Sequence, residues 1–117
     1  MSTLVQDLTI PQGVRFQYVF QLTGTQMPAD ISGFTAAMQV RPYPTSDEVY
    51  ASFSSPADIT VNNSTKQIVI DVDDSVTAVL DFVYGEYDLE LTNPAGTTGP
   101  WRIAQGIATL SHEVTRA

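Results

Sequence analysis

Apolar residues recur at every second position through most of the sequence. The clearest run follows Val14, where Phe16, Tyr18, Phe20 and Leu22 alternate with mostly polar residues. Because successive strand side chains point to opposite faces, this period predicts strands that each bury one face. The same pattern recurs at Phe34–Val40, Val49–Phe53, Ile68–Val72, Tyr87–Leu91, and Trp101–Ile103 with Ile107–Leu110, where we expect a bulge or bend at Gly106.

Turn-forming residues separate these runs and set the predicted fold. They are Pro11-Gln12-Gly13, Thr23-Gly24, Ser32-Gly33, Pro42-Tyr43-Pro44, Asn62-Asn63-Ser64 and Asn93-Pro94-Ala95-Gly96. Seven or eight short antiparallel strands at this spacing predict an all-β sandwich or barrel. Asp73 or Asp74 can cap one short helix near residues 74–80. Since no repeat or linker is visible, the sequence predicts a single domain over residues 1–117.

Composition narrows the classes of function. The chain has 117 residues, no cysteine and a formal net charge of −8. The lack of cysteine excludes a disulfide scaffold, a cysteine zinc site and a thiol nucleophile. The acidic balance disfavours nucleic acid and membrane surfaces as partners, since both need clustered Lys and Arg. The start lacks a signal-peptide pattern, and no apolar run reaches about 18 residues, so we expect a protein made in soluble form in the cytoplasm.

The sequence lacks residues that the usual catalytic arrangements need. The single histidine, His112, stands between Ser111 and Glu113, and neighbours on a strand point to opposite faces. Paired carboxylates of the glycosidase type usually lie in clefts of much larger folds. We therefore predict no catalytic residue and no enzyme activity.

Acidic residues are concentrated between Asp71 and Glu90, a stretch without Lys or Arg. One interpretation is a calcium site, because hard cations need several convergent oxygen ligands. The spacing after Asp71 lacks the glycine and the bidentate glutamate of an EF-hand loop. Outward strand faces and a helix cap explain the same residues, so we predict no metal and no cofactor. A calcium-dependent adhesion domain remains an alternative.

Three aromatic residues in or beside loops are candidate interface residues. They are Tyr43, which lies between two prolines, Tyr50, and Trp101, which follows Pro100. Exposed aromatics near loops are favoured anchors because they bury a large area at low entropic cost. Packing of Trp101 into the core is an equally good interpretation of that residue.

The segment Gly85-Glu86-Tyr87-Asp88-Leu89 resembles the Gly-x-Tyr-x-Cys run of immunoglobulin domains, with Leu89 in place of cysteine. In that setting the tyrosine hydroxyl bonds to backbone a short way upstream, forming a tyrosine corner. The resemblance implies an immunoglobulin-like sandwich and a role for Tyr87 in folding.

Four segments together resemble a family of short structural proteins of tailed bacteriophages. They are Asp7–Gly13 followed by Phe16 and Phe20, Asp30–Arg41, Ile68–Val72 with Thr77 and Leu80, and Gly85–Leu91 with Arg102, Gly106 and Glu113–Arg116. The N-terminal immunoglobulin-like domain of siphophage baseplate upper proteins is similar. This resemblance implies a non-enzymatic virion protein that is an accessory or adaptor subunit.

The expected partners are other phage structural proteins at the tail, baseplate or tail-fibre attachment region, with several symmetric copies in each particle. A capsid decoration protein on the phage head is an alternative. A carbohydrate- or host-surface-binding module that stacks Tyr43, Tyr50 or Trp101 on sugar rings is another.

Overall fold

A computed structural model describes residues 3–22, 30–95 and 100–115, which form nine strands and one short helix. The elements are β1 (Leu4–Val5), β2 (Leu8–Pro11), β3 (Phe16–Gln21), β4 (Thr35–Arg41), β5 (Ala51–Ser54), β6 (Ile59–Asn62), β7 (Gln67–Val72), α1 (Asp74–Thr77), β8 (Tyr84–Thr92) and β9 (Trp101–Ser111). The predicted turn at Thr23-Gly24 and part of the loop after Asn93 lie outside the described residues.

The strands form two packed sheets. The larger has the order β1-β9-β8-β4-β5, with β2 also on β9, and the smaller has the order β3-β7-β6. An immunoglobulin sandwich places its second, fifth and fourth strands in one sheet and its third, sixth and seventh in the other. Counting β1 and β2 together as the first strand, and β5 as an added edge strand, gives this same order. The prediction of an all-β sandwich is confirmed.

The first two strands correct the expectation of a purely antiparallel sandwich. Both β1 and β2 run parallel to β9, with Leu4 opposite Ala104 and Leu8 opposite Ala108. Between them, the amide of Gln6 donates to the Gln105 carbonyl at 2.9 Å. The alternation there is too short to have been recognised from the sequence, and β6 was missed for the same reason.

Gly106 allows the chain between β1 and β2 to lie against β9. A Cβ at residue 106 would collide with the Gln6 carbonyl and would lie 3.0 Å from a carboxylate oxygen of Asp7. That oxygen accepts a 3.0 Å hydrogen bond from the Ile107 amide. The predicted bulge at Gly106 is wrong: the register shift lies opposite Leu89 and Glu90, between residues 102 and 104.

The core lies between the sheets and consists of the residues that the alternation turns inward. Phe20, Ile68 and Ile70 come from the smaller sheet and are at most 1% exposed. Leu89, at the position where immunoglobulin domains carry cysteine, is fully buried. Burial of such side chains stabilises a fold by about 1.5–3 kcal/mol each, before entropic costs.

Tyr87 takes a different partner from the predicted tyrosine corner. Its hydroxyl donates to the Gln6 carbonyl at the break between β1 and β2, not to backbone just upstream. Among the described residues, no buried side-chain nitrogen or oxygen lacks a hydrogen-bond partner.

The helix is shorter than the expected 74–80, since α1 ends at Thr77. Asp73 occupies the N-cap position, but its side chain makes no capping bond and accepts the Ser75 hydroxyl at 2.6 Å instead. The chain leaves the helix where Leu80 turns inward, 8% exposed. No helix within the described ranges is long and apolar enough to cross a membrane.

Candidate functional site

Four connecting segments meet at one end of the sandwich, where β4, β7 and β9 finish and β3, β5 and β8 begin. We call this region the helix end and define it as residues 12–15, 42–50, 73–84 and 112–115. It comprises the β2–β3 turn, the β4–β5 loop, the segment around α1 and the residues after β9. The fold thus collects side chains that are far apart in the sequence.

Gln12 ties three of these segments together. Its amide nitrogen Nε2 donates to the Leu80 carbonyl at 2.8 Å, and its Oε1 accepts from the Glu113 amide at 2.9 Å. Its backbone amide donates to the Ser111 carbonyl at 2.9 Å. Next to it, Gly13 has φ 76°, a conformation that favours glycine, and a Cβ there would collide with the Glu113 carboxylate. The Pro-Gln-Gly sequence indicates the turn, but not its long-range partners.

Two further contacts fix the same end. Thr77 is fully buried, and its hydroxyl donates to the Val14 carbonyl at 2.7 Å. The rings of Tyr50 and Phe82 stack with centroids 5.1 Å apart, which joins the β4–β5 loop to the segment after α1. The helix end is therefore a cross-linked surface and not a set of independent loops.

Exposed apolar side chains are concentrated at this end. In the described part of the chain, eleven large hydrophobic residues are exposed, and seven of them lie within the helix end: Val14, Tyr43, Val49, Val79, Val83, Tyr84 and Val114. Val79 is 79% exposed and Val83 is 68% exposed. Exposed apolar groups gathered in one region and bordered by polar residues are typical of protein-interaction surfaces, whereas single scattered ones are ordinary.

Carboxylates are interspersed with these apolar groups. The described part of the helix end carries Asp47, Glu48, Asp73, Asp74, Asp81 and Glu113. Arg15 is the one lysine or arginine there, and its guanidinium is bonded to Asp71 at 2.7 and 2.8 Å. This contact lowers the pKa of Asp71 and raises that of Arg15, so the pair stays ionised. The other charged groups at this end are carboxylates, so its electrostatic potential is strongly negative.

The three predicted interface aromatics are not brought together. Tyr43 is 55% exposed and lies at the helix end. Tyr50 is also there, but it is partly buried and one face of its ring is covered by Phe82. Trp101 lies at the opposite end of the larger sheet, where it stacks on Phe34 with centroids 5.7 Å apart.

The acidic stretch from Asp71 to Glu90 is dispersed by the fold. Glu86, Asp88 and Glu90 alternate with buried residues on β8 and point to the outer face of the larger sheet, as predicted. Asp73 accepts from Ser75, which lowers the pKa of its carboxyl group. Among the described residues, no group of three or more acidic or histidine side chains is placed to hold a metal ion.

A shallow groove of about 520 Å³ lies on the outer face of the larger sheet. Its walls include Gln39, Asp88 and Gln105, with Arg41 and Arg102 among the bordering residues. Arg102 Nε lies 3.3 Å from the Asp88 carboxylate. Arg41 donates to the Gln39 side-chain oxygen at 2.8 Å and to the Ser46 carbonyl at 2.5 Å. Sequence reasoning did not identify this groove, because its residues come from four strands and from the segments beside them.

The single histidine lies at the rim of the helix end. His112 Nε2 is 3.9 Å from Asp81, and both side chains are accessible to solvent. No serine or threonine is paired with His112 in the hydrogen bonds and ion pairs of the described residues.

No protein-family model matches the chain, and no curated protein sequence matches it.

Proposed function

We propose that the chain is a non-enzymatic structural protein of a tailed-bacteriophage particle. In this proposal it is an accessory or adaptor subunit that docks through its helix end on the tail, the baseplate or the tail-fibre attachment region. The observation that carries the docking role is the concentration of exposed apolar side chains and carboxylates on one cross-linked end of the sandwich. The phage assignment rests on the sequence resemblance.

The chemistry of the helix end supports a particular kind of partner. Exposed side chains such as Val83 and Tyr43 supply apolar area, and the surrounding carboxylates favour a partner whose apolar patch is bordered by Lys or Arg. Because Gln12 and Thr77 already fix the loops, little conformational entropy is lost on docking. Several symmetric copies would convert a weak single contact into firm attachment.

Mass spectrometry of purified particles, made from the genome that encodes the chain, tests the assignment. We expect the chain in the particles at a fixed ratio to the other structural proteins. Immunogold labelling then separates the tail or baseplate from the head, where labelling would favour the capsid-decoration alternative. Absence of the chain from purified particles would show that it is not a virion protein.

Variants test the docking surface separately. Val83→Asp adds a carboxylate to the helix end, and Thr60→Asp adds one to an exposed position of β6 outside it. We expect Val83→Asp to reduce incorporation into particles at least tenfold and Thr60→Asp to leave it unchanged. Equal incorporation of both variants would remove the helix end as the docking surface while leaving the virion assignment in place.

The groove on the larger sheet favours carbohydrate binding as a second candidate function. Amide, guanidinium and carboxylate groups such as those of Gln39, Arg102 and Asp88 are hydrogen-bonding partners for sugar hydroxyls. A glycan array with Asp88→Asn and Trp101→Ala tests it. If Asp88→Asn loses binding and Trp101→Ala keeps it, the sugar binds in the groove. If the unaltered chain binds no glycan, this candidate function is wrong.

A further inference from the structure

The smaller sheet ends at β3, which has no neighbour on its outer side among the described residues. The strand has six residues and pairs only with β7. Immunoglobulin domains of the constant type place their first strand on this edge. Here β1 and β2 lie instead on β9 in the other sheet, so no strand of the described ranges covers this edge of β3.

The direction of the free backbone groups follows from the register. The backbone amide of Leu22 donates to the Lys66 carbonyl, so Leu22 and Lys66 form a hydrogen-bonded pair one position beyond the pairing of Gln21 with Gln67. In an antiparallel pair, hydrogen-bonded positions alternate with positions whose backbone groups point away. The N–H and C=O groups of Gln17, Val19 and Gln21 therefore point away from β7 to the open edge.

This edge lacks the usual devices that block strand pairing. Natural edge strands are protected by charged side chains, proline, bulges or short length. The other described edge strands are shorter: β1 has two residues, β2, β5 and β6 have four each, and β2 ends in Pro11. The outward side chains of β3 are two glutamines and Val19, which is 49% exposed.

We propose that two copies of this chain pair through their β3 strands, antiparallel and centred on Val19. Each strand contributes three residues with one donor and one acceptor, which gives about six hydrogen bonds between the copies. Val19 meets Val19 of the second copy on the outer face of the sheet, and Gln17 meets Gln21. The two smaller sheets become one continuous sheet.

The distribution of charge on the chain favours a second copy as the partner at this edge. The chain carries a net charge of −8, so most contacts between copies would place carboxylates close together. The β3 edge avoids this, because β3 contains no charged residue and the nearest charges on its outer face, Arg15 and Asp71, neutralise each other at 2.7 Å. An isologous contact through identical strands requires no other complementary surface.

The arrangement has a consequence for docking. Since β3 begins at the helix end, antiparallel pairing points the two helix ends in opposite directions. The dimer would present one helix end at each pole and could bridge two partners. The dimer itself goes beyond the proposed function and stands without it.

Sedimentation equilibrium on the full chain tests the proposal. At concentrations up to about 1 mM, where weak complexes become populated, we expect the molar mass to rise from 12.7 kDa toward twice that value. Val19→Lys places two like charges at the centre of the contact and should weaken dimerisation at least tenfold. Thr60→Lys, which adds the same charge to the outer face of β6 in the same sheet, is the matched control and should dimerise like the unaltered chain.

Hydrogen exchange adds a readout at the edge itself. The amides of Gln17, Val19 and Gln21 should exchange slowly in the concentrated sample and quickly after dilution, and circular dichroism should show that every variant is folded. A chain that stays monomeric, a Val19→Lys variant that dimerises normally, or protection that does not depend on concentration would overturn the proposal. If the chain is a monomer but is found in phage particles, the dimer proposal is wrong and the proposed function stands. If the chain is a dimer but is absent from particles, the dimer proposal stands and the proposed function is wrong.

Discussion

The Tyr87 hydroxyl donates a hydrogen bond to the backbone carbonyl of Gln6, 81 residues earlier in the chain. This bond joins β8, in the middle of the larger sheet, to the break between β1 and β2 at its edge. The break leaves backbone groups without a regular ladder, and Tyr87 and Asp7 supply partners for two of them. A tyrosine in the immunoglobulin-like position thus anchors the first strands and not the turn that precedes its own strand.

Replacement of this tyrosine tests the anchoring role. Tyr87→Phe keeps the ring, which is 3% exposed, and leaves the Gln6 carbonyl without its donor. Because an acceptor that loses its partner in this part-buried site is costly, we expect the free energy of unfolding to fall by about 1–3 kcal/mol. Urea denaturation measures the loss. Tyr84→Phe, at a 62% exposed position of the same strand, is the control, and an equal effect of both changes would contradict the role.

The same residue predicts how stability depends on alkaline pH. Burial is the main cause that raises the pKa of Tyr87 well above its ordinary value of about 10. The negative charges of ionised Tyr18 and of Asp7 raise it further. The native state therefore holds this proton more tightly than the unfolded chain does. The resulting stabilisation is present below about pH 10 and is lost as pH rises through the native-state pKa.

Denaturation at several pH values above about 9 measures this dependence. We expect the free energy of unfolding to decline more steeply in the unaltered chain than in Tyr87→Phe, which has no proton to lose at this position. Identical slopes for the two proteins would show that Tyr87 does not titrate differently in the folded and unfolded states.

The extent to which the sequence predicts this fold depends on the range of the interactions involved. The alternation around Phe20 and Leu89 is local, so it predicts most strands and their buried faces. The parallel pairing of Leu8 with Ala108 joins residues 100 positions apart and leaves no period in the sequence. The helix end combines both kinds of information: its turns can be predicted from Pro and Gly, but the long-range hydrogen bonds of Gln12 cannot. The three aromatic candidates do not share one end of the sandwich. The sequence could not predict this, because the alternation does not specify which loops lie at the same end.

Gln12 provides a test of whether the helix end is fixed as a unit. Gln12→Ala removes the bonds of its side chain to Leu80 and Glu113. We expect a loss of about 1–3 kcal/mol in the free energy of unfolding and faster hydrogen exchange at the Glu113 amide. Gln105→Ala, which removes a 3.4 Å contact with Arg102, is the control and should change both quantities less. Unchanged exchange at Glu113 in Gln12→Ala would show that the segment after β9 is held by other contacts.

The ion pair between Arg15 and Asp71 gives a prediction for acidic pH. The guanidinium of Arg15 lowers the pKa of the Asp71 carboxyl group in the folded protein. The stabilisation is therefore present above the ordinary aspartate value of about 3.9 and is lost as pH falls through the lower native-state pKa. In an NMR titration, Arg15→Gln should move the midpoint of Asp71 upward, toward its ordinary value. A midpoint that does not move would assign the low pKa to another cause.

The exposed valines of the helix end should be dispensable for folding. Val79 and Val83 are 79% and 68% exposed, so an aspartate at either position should change the free energy of unfolding by no more than about 0.5 kcal/mol. Urea denaturation of Val79→Asp and Val83→Asp measures this directly, with Val61→Asp as a contrast, because Val61 packs partly buried against the core and should lose substantially more. Stable valine variants that fail to join particles would assign these side chains to docking. Variants that unfold would instead show that the valines contribute to the fold, and the helix end would then lose the apolar surface on which its docking role depends.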